Sequence, residues 1–135
     1  MKIFIILSVC VYFAVSLKLN SDTIEEWEKM ISPYKEECIQ VSGVNGELAN
    51  TLYTNLDYPD DNNFKCYVDC LIRKLKFIDS DNNIDIERIL KVVHKAHREP
   101  AERCAKTIEN SFSACEAGFT FTACSIRDVA KAQSG

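Results

Sequence analysis

The chain has 135 residues, 47% of them hydrophobic, with 16 basic and 20 acidic side chains, a formal net charge of −4 and seven cysteines. That length sets one domain. The acidic balance excludes a nucleic-acid binder, which needs a basic face, and argues equally against an anionic membrane surface as partner.

Residues 1–16 read as a signal peptide. Met1-Lys2 supplies the positive start, Ile3 to Val15 is nearly all apolar, and Ala14-Val15-Ser16 offers the small residues a signal peptidase reads. The run is too short to span a bilayer and no second apolar stretch follows, so no membrane insertion is expected. Cleavage removes Cys10 and leaves residues 17–135 as a single secreted domain, with 15 basic against 20 acidic side chains and a formal charge of −5. No Asn-x-Ser/Thr sequon occurs.

The pattern beyond the leader predicts an all-α fold of about six short helices. Ser21-Asp22 can cap the first, with Ile24, Trp27 and Ile31 on one face. Pro33 predicts an interruption, with Ser32 capping a restart that runs to about Gln40 and carries Cys38. Gly43 and Gly46 mark a turn, and Glu47 to Tyr53 reads as a short second helix. Asn55 to Asn63 is a loop, and Asp60 or Asp61 can cap a third helix from Phe64 to Ile78. Its stripe is Phe64, Val68, Leu71, Leu75 and Ile78, opposite Lys65, Asp69, Arg73 and Lys76. A fourth helix is expected from Asp85 to Lys95 and a fifth from Pro100 through Cys115, with Gly118 ending that segment. Thr120 can cap a sixth, reaching Lys131. No segment alternates as a strand does.

Six cysteines then remain: Cys38, Cys66, Cys70, Cys104, Cys115 and Cys124, spaced C-x27-C-x3-C-x33-C-x10-C-x8-C. An even set in a small secreted chain reads as three disulfides. Cys66 and Cys70 lie four apart on one helix, which holds their Cβ atoms about 5–6 Å apart. A disulfide needs about 3.5–4.5 Å, so those two do not bond each other; the remaining pairings stay open. Helical cysteines at this spacing can also ligate zinc, but an oxidising compartment disfavours that, and no metal is expected.

Together, the leader, the helical pattern and this spacing resemble the insect odorant-binding and pheromone-binding protein family. The three-residue gap from Cys66 to Cys70 and the eight-residue gap from Cys115 to Cys124 are the most specific marks, and the resemblance covers the whole domain. The gap from Cys70 to Cys104 is shorter than is usual there, which falls on the fourth helix or the loop before it. The resemblance implies the pairing Cys38–Cys70, Cys66–Cys115 and Cys104–Cys124. It implies a carrier of odorants, pheromones or similar lipids, with an olfactory receptor as a further partner; the expected form is a monomer or weak homodimer.

Three bridges at about 2–4 kcal/mol each rival the net stability of an ordinary domain, so the helices can enclose an apolar cavity. The candidate lining is Ile24, Trp27, Ile31, Tyr53, Val68, Ile72, Ile86, Ile89, Val93, Ile108, Phe112, Phe121 and Val129, with Tyr53 as the best polar handle. His94 and His97, three apart on or near one helix, are candidates for a pH switch, which the resemblance favours because members of the family can release ligand on acidification. Asp79-x-Asp81-x-Asn83 mimics the start of a calcium loop, but Ile84 and Leu90 stand where its Gly and closing Glu belong, and it reads as a helix-capping loop. No cofactor is implied. Two histidines three apart, no strained Gly-flanked serine and oxidised cysteines give no catalytic set, so an enzyme is not expected. A secreted salivary, venom or hormone-like interaction protein on the same scaffold is the alternative, and it should show a large exposed apolar patch.

Overall fold

Trp27, Ile31 and Cys38 are buried at helical spacing along α1, Ser21–Ser42, in a computed structural model that describes residues 16–110 and 113–134. The leader through Val15, with Cys10, and Phe112 lie outside the described residues. α1 is one continuous helix, which corrects the expected break at Pro33. An interior proline removes one backbone bond and crowds the preceding turn, at a cost of about 3 kcal/mol. Here Pro33 lies on the exposed face, and the apolar anchors on either side of it hold both halves against the core. Gly43 closes the helix at φ 71°, the left-handed conformation glycine adopts without strain, and its N–H bonds the Ile39 carbonyl.

α2, Gly46–Ala49, is capped by the Asn45 side chain and gives way to turns over residues 50–54, so it is shorter than the segment expected to Tyr53. α3, Asn62–Lys74, starts on Asp61, whose carboxylate accepts the Phe64 N–H at 2.8 Å. It ends four residues before Ile78. Lys76 turns left-handed at φ 62°, its N–H bonds the Arg73 carbonyl, and Phe77 N–H reaches back to Ile72. That is a Schellman closure with lysine where glycine is usual, so no composition signal announces it.

The segment from Asp79 to Asn83 folds on itself. Asp79 accepts the N–H groups of Asp81 and Asn83, while Arg73 bonds the Asp79 carbonyl and the Asn82 side chain. These bonds, led by the one from Asn83, hold the Asp79 carboxyl below the usual carboxylate range. The flanking Ile78 and Ile84 form an isolated bridge, the sole β-pairing among the described residues. α4, Ile86–Val92, is capped by Asp85 and stops short of Lys95. α5, Arg98–Lys106, ends well before Cys115; beyond it the Thr107 hydroxyl bonds the Cys104 carbonyl and the backbone bonds lengthen to 3.4 Å.

α6, Glu116–Ser134, is longer than expected and contains Gly118 rather than ending at it. The reason is a close crossing with α3. The Gly118 N–H, one of the helix's free N-terminal donors, bonds the buried Asp69 carboxylate at 3.1 Å. A Cβ at Gly118 would lie 2.9 Å from the Asp69 Cα. The other Asp69 oxygen accepts from Arg73 at 2.8 Å, so the buried charge is paired and bonded on both sides.

The fold is therefore all-α, with α3 between the two long helices α1 and α6. Three disulfides fasten it: Cys38–Cys70 joins α1 to α3, Cys66–Cys115 joins α3 to the turn before α6, and Cys104–Cys124 joins α5 to α6. Phe64, Tyr67, Val68, Leu71 and Ile72 fill the space between the long helices.

Candidate ligand cavity

Beside that core lies a partly enclosed cavity of about 260 Å³, just under the roughly 300–1,000 Å³ of common small-molecule pockets. Trp27 and Met30 from α1 and Ile72 from α3 line it together with Ala101 from α5 and Phe121, Thr122, Ser125 and Ile126 from α6. The rim is formed by the exposed residues Asn20, Lys95, His97 and Ala132.

Of the expected lining, Trp27, Tyr53, Ile72, Ile89, Val93, Phe121 and Val129 surround this cavity. Ile31, Val68 and Ile108 are buried in the packed core, and Ile24 is half-buried against it. Ile86 edges a separate surface recess beside Asp79 and Glu87. Phe112 is outside the described residues. Helical periodicity marks a buried face without saying whether the space behind it is filled.

Met30, Phe77, Pro100 and Ile126 also line the cavity and were not anticipated. The clearest missed signal is on α6. Ser125 and Ile126 lie three and four residues from Thr122, on the face that also carries the expected Phe121 and Val129.

Most polar groups at the cavity are already used. The Trp27 indole N–H donates to the His94 carbonyl at 2.8 Å. The Thr122 and Ser125 hydroxyls donate to carbonyls of their own helix, and Asp128 is paired with Arg103. Gln133 accepts from the Asn20 N–H at 2.7 Å and donates to the Thr23 hydroxyl at 2.8 Å, closing the end of α6 over the start of α1. Inside the rim, Tyr53 is the exception. It packs edge-on against Trp27, 5.4 Å between ring centroids, and its hydroxyl forms no hydrogen bond among the described residues. Burial, then the nearby Glu28 charge, pushes its phenol well above the ordinary tyrosine value.

The two histidines sit in the turn between α4 and α5 rather than on one helix. His94 Nε2 is 4.0 Å from Asp22 Oδ2, and His97 occupies the N-cap of α5 without capping it through its side chain. No group of three or more metal-ligating side chains occurs among the described residues. No described helix is long and apolar enough to cross a membrane.

A small helical domain, cross-linked three times and holding an apolar cavity, belongs to the class of binding scaffolds. Residues 20–128 match the profile of the PBP/GOBP family, and the chain belongs to that family, the insect odorant-binding proteins, which bind rather than catalyse. Among curated relatives it is 25% identical over 91 residues to General odorant-binding protein 99b of Drosophila melanogaster, covering 66% of this chain and 60% of that one. It is 23% identical over 135 residues to General odorant-binding protein 99a of the same fly, covering 95% of this chain and 91% of that protein. The first match thus spans less than two thirds of its relative's length. No solved structure matches the chain.

Proposed function

We propose that the protein carries small hydrophobic molecules, odorants, pheromones or similar lipids, through aqueous fluid in the cavity beside Trp27 and Tyr53. The observation that carries this reading is the void itself, walled by apolar side chains in a member of a binding family. Ligand would be held by dispersion and by release of water from both surfaces, so selection would follow size, shape and hydrophobicity. On this reading the chain is exported after loss of residues 1–16, works as a monomer or weak homodimer and delivers its cargo to an olfactory receptor. The interaction-protein alternative gains little support, because Val41 and Val92, on separate helices, are the exposed large apolar side chains among the described residues.

The His94–His97 turn is the proposed site of acid-triggered release. Both histidines lie in the turn at the cavity edge, His94 4.0 Å from Asp22 and His97 on the rim at the N-cap of α5. Replacing both histidines by Gln should flatten any loss of binding between neutral and mildly acidic pH; an unchanged profile places the switch elsewhere.

Trp27 is the chain's one tryptophan and lines the cavity, so its emission reports occupancy. Titration with a medium-chain alcohol or ester should shift or quench it saturably at one ligand per chain. A linear, non-saturating change would contradict the reading.

A further inference from the structure

The cavity rim carries one charge that the protein leaves uncompensated. Lys95 lines the cavity at its exposed edge, and its ammonium forms no ion pair or hydrogen bond among the described residues. The nearby arginines are taken: Arg98 is paired with Glu87 and Glu102, and Arg103 with Glu99 and Asp128; of the lysines, Lys95 is the one that lines the cavity. Asp128 is the one acidic residue on the cavity wall, and that pair neutralises it. His97 stands two residues from Lys95 on the same rim. The backbone at Lys95 is left-handed, φ 69°, a conformation a lysine adopts at a cost and one that clusters at ligand clamps.

An apolar interior whose polar groups are engaged except for the Tyr53 hydroxyl, ending in a free cation at the rim, matches a molecule with an aliphatic body and an anionic end. We propose that the preferred ligands are alkyl carboxylates, the tail against Trp27, Ile72 and Phe121 and the carboxylate at the rim on Lys95. The inference rests on the cavity being the ligand site and adds a head-group preference to it. Apolar burial alone would favour a neutral ester over the ionised acid, so the preference has to come from the rim charge.

The test is displacement of an apolar fluorescent probe by decanoate and by methyl decanoate, chosen to stay monomeric in solution. It uses the wild-type chain and Lys95→Asn, since asparagine tolerates the left-handed backbone. Lys95→Asn should weaken decanoate by about three- to fivefold more than it changes the ester, the size an exposed ion pair gives. Added salt should weaken the acid alone. If the variant shifts acid and ester equally, or neither, the carboxylate assignment is overturned while the cavity reading stands. If the probe itself shows no saturable binding to the wild type, the cavity reading fails and takes this one with it.

Discussion

Gly118 shows how a single missing methyl group sets the spacing of α3 and α6. It lets α6 approach the Asp69 backbone, and it places the Gly118 N–H on a buried carboxylate. Gly118→Ala forces the helices apart against a disulfide at Cys66–Cys115, three residues away, and should cost about 1–3 kcal/mol in chemical denaturation, as overpacked cores do. An unchanged midpoint would mean that the crossing is looser than described. Tyr67 makes the opposite case. Its hydroxyl is buried and has no hydrogen-bond partner among the described residues. A buried, unsatisfied polar group is a liability, so Tyr67→Phe should be neutral or raise the melting temperature. A loss of more than about 1 kcal/mol would show that the hydroxyl is bonded in solution. Neither feature was legible beforehand. The sequence shows a glycine and a tyrosine, while the neighbour at van der Waals distance, or the lack of one, is a property of packing.

The helical elements were legible where an apolar stripe coincided with a polar cap. α3 begins at Asp61 and buries Phe64, Val68 and Leu71 as its periodicity demands. Ends fixed by tertiary structure were not. α1 runs through Pro33 because anchors on both sides hold it, and α3 stops at a left-handed lysine that carries no glycine signal. The family pairing of the cysteines appears in full, whereas helix geometry alone had excluded only the Cys66–Cys70 bond. About half of the expected lining surrounds the cavity; on α6 the apolar Phe121 and Val129 were legible, whereas Thr122 and Ser125 were not, because small polar side chains weigh little in a hydrophobic pattern. The end of α6 also forms a latch. Gln133 bonds Asn20 and Thr23, and the Ser134 hydroxyl donates to the Lys18 carbonyl at 3.3 Å. Gln133→Ala should cost stability only about 1 kcal/mol but speed probe dissociation several-fold in stopped-flow, because the latch closes one edge of the cavity. An unaltered dissociation rate would place the exit elsewhere.

At the scale of the whole molecule, stability should depend on alkaline pH in a defined direction. Tyr53, Tyr58 and Tyr67 all have phenols raised above the ordinary value, burial being the largest cause in each; Arg127 opposes it at Tyr58. A raised folded-state pKa stabilises the fold fully below the unfolded value, near 10 for tyrosine, and that contribution is lost as pH rises past it. The melting temperature should therefore hold to about pH 9.5 and fall above it, with buried tyrosinate absorbance appearing only as the fold is lost. Ionisation of all the tyrosines near pH 10 in a still-folded protein would contradict the burial described.

The central claim is that the space beside Trp27 is where a guest resides. Ser125 faces that space from α6, and Ser125→Phe would fill part of it without removing a cysteine. Probe titration of both chains, with helix content checked by circular dichroism, is the direct test. Saturable one-to-one binding by the wild type, weakened at least tenfold in a folded Ser125→Phe chain, is the expected result. Equal binding by both chains, or none by the wild type, would contradict it.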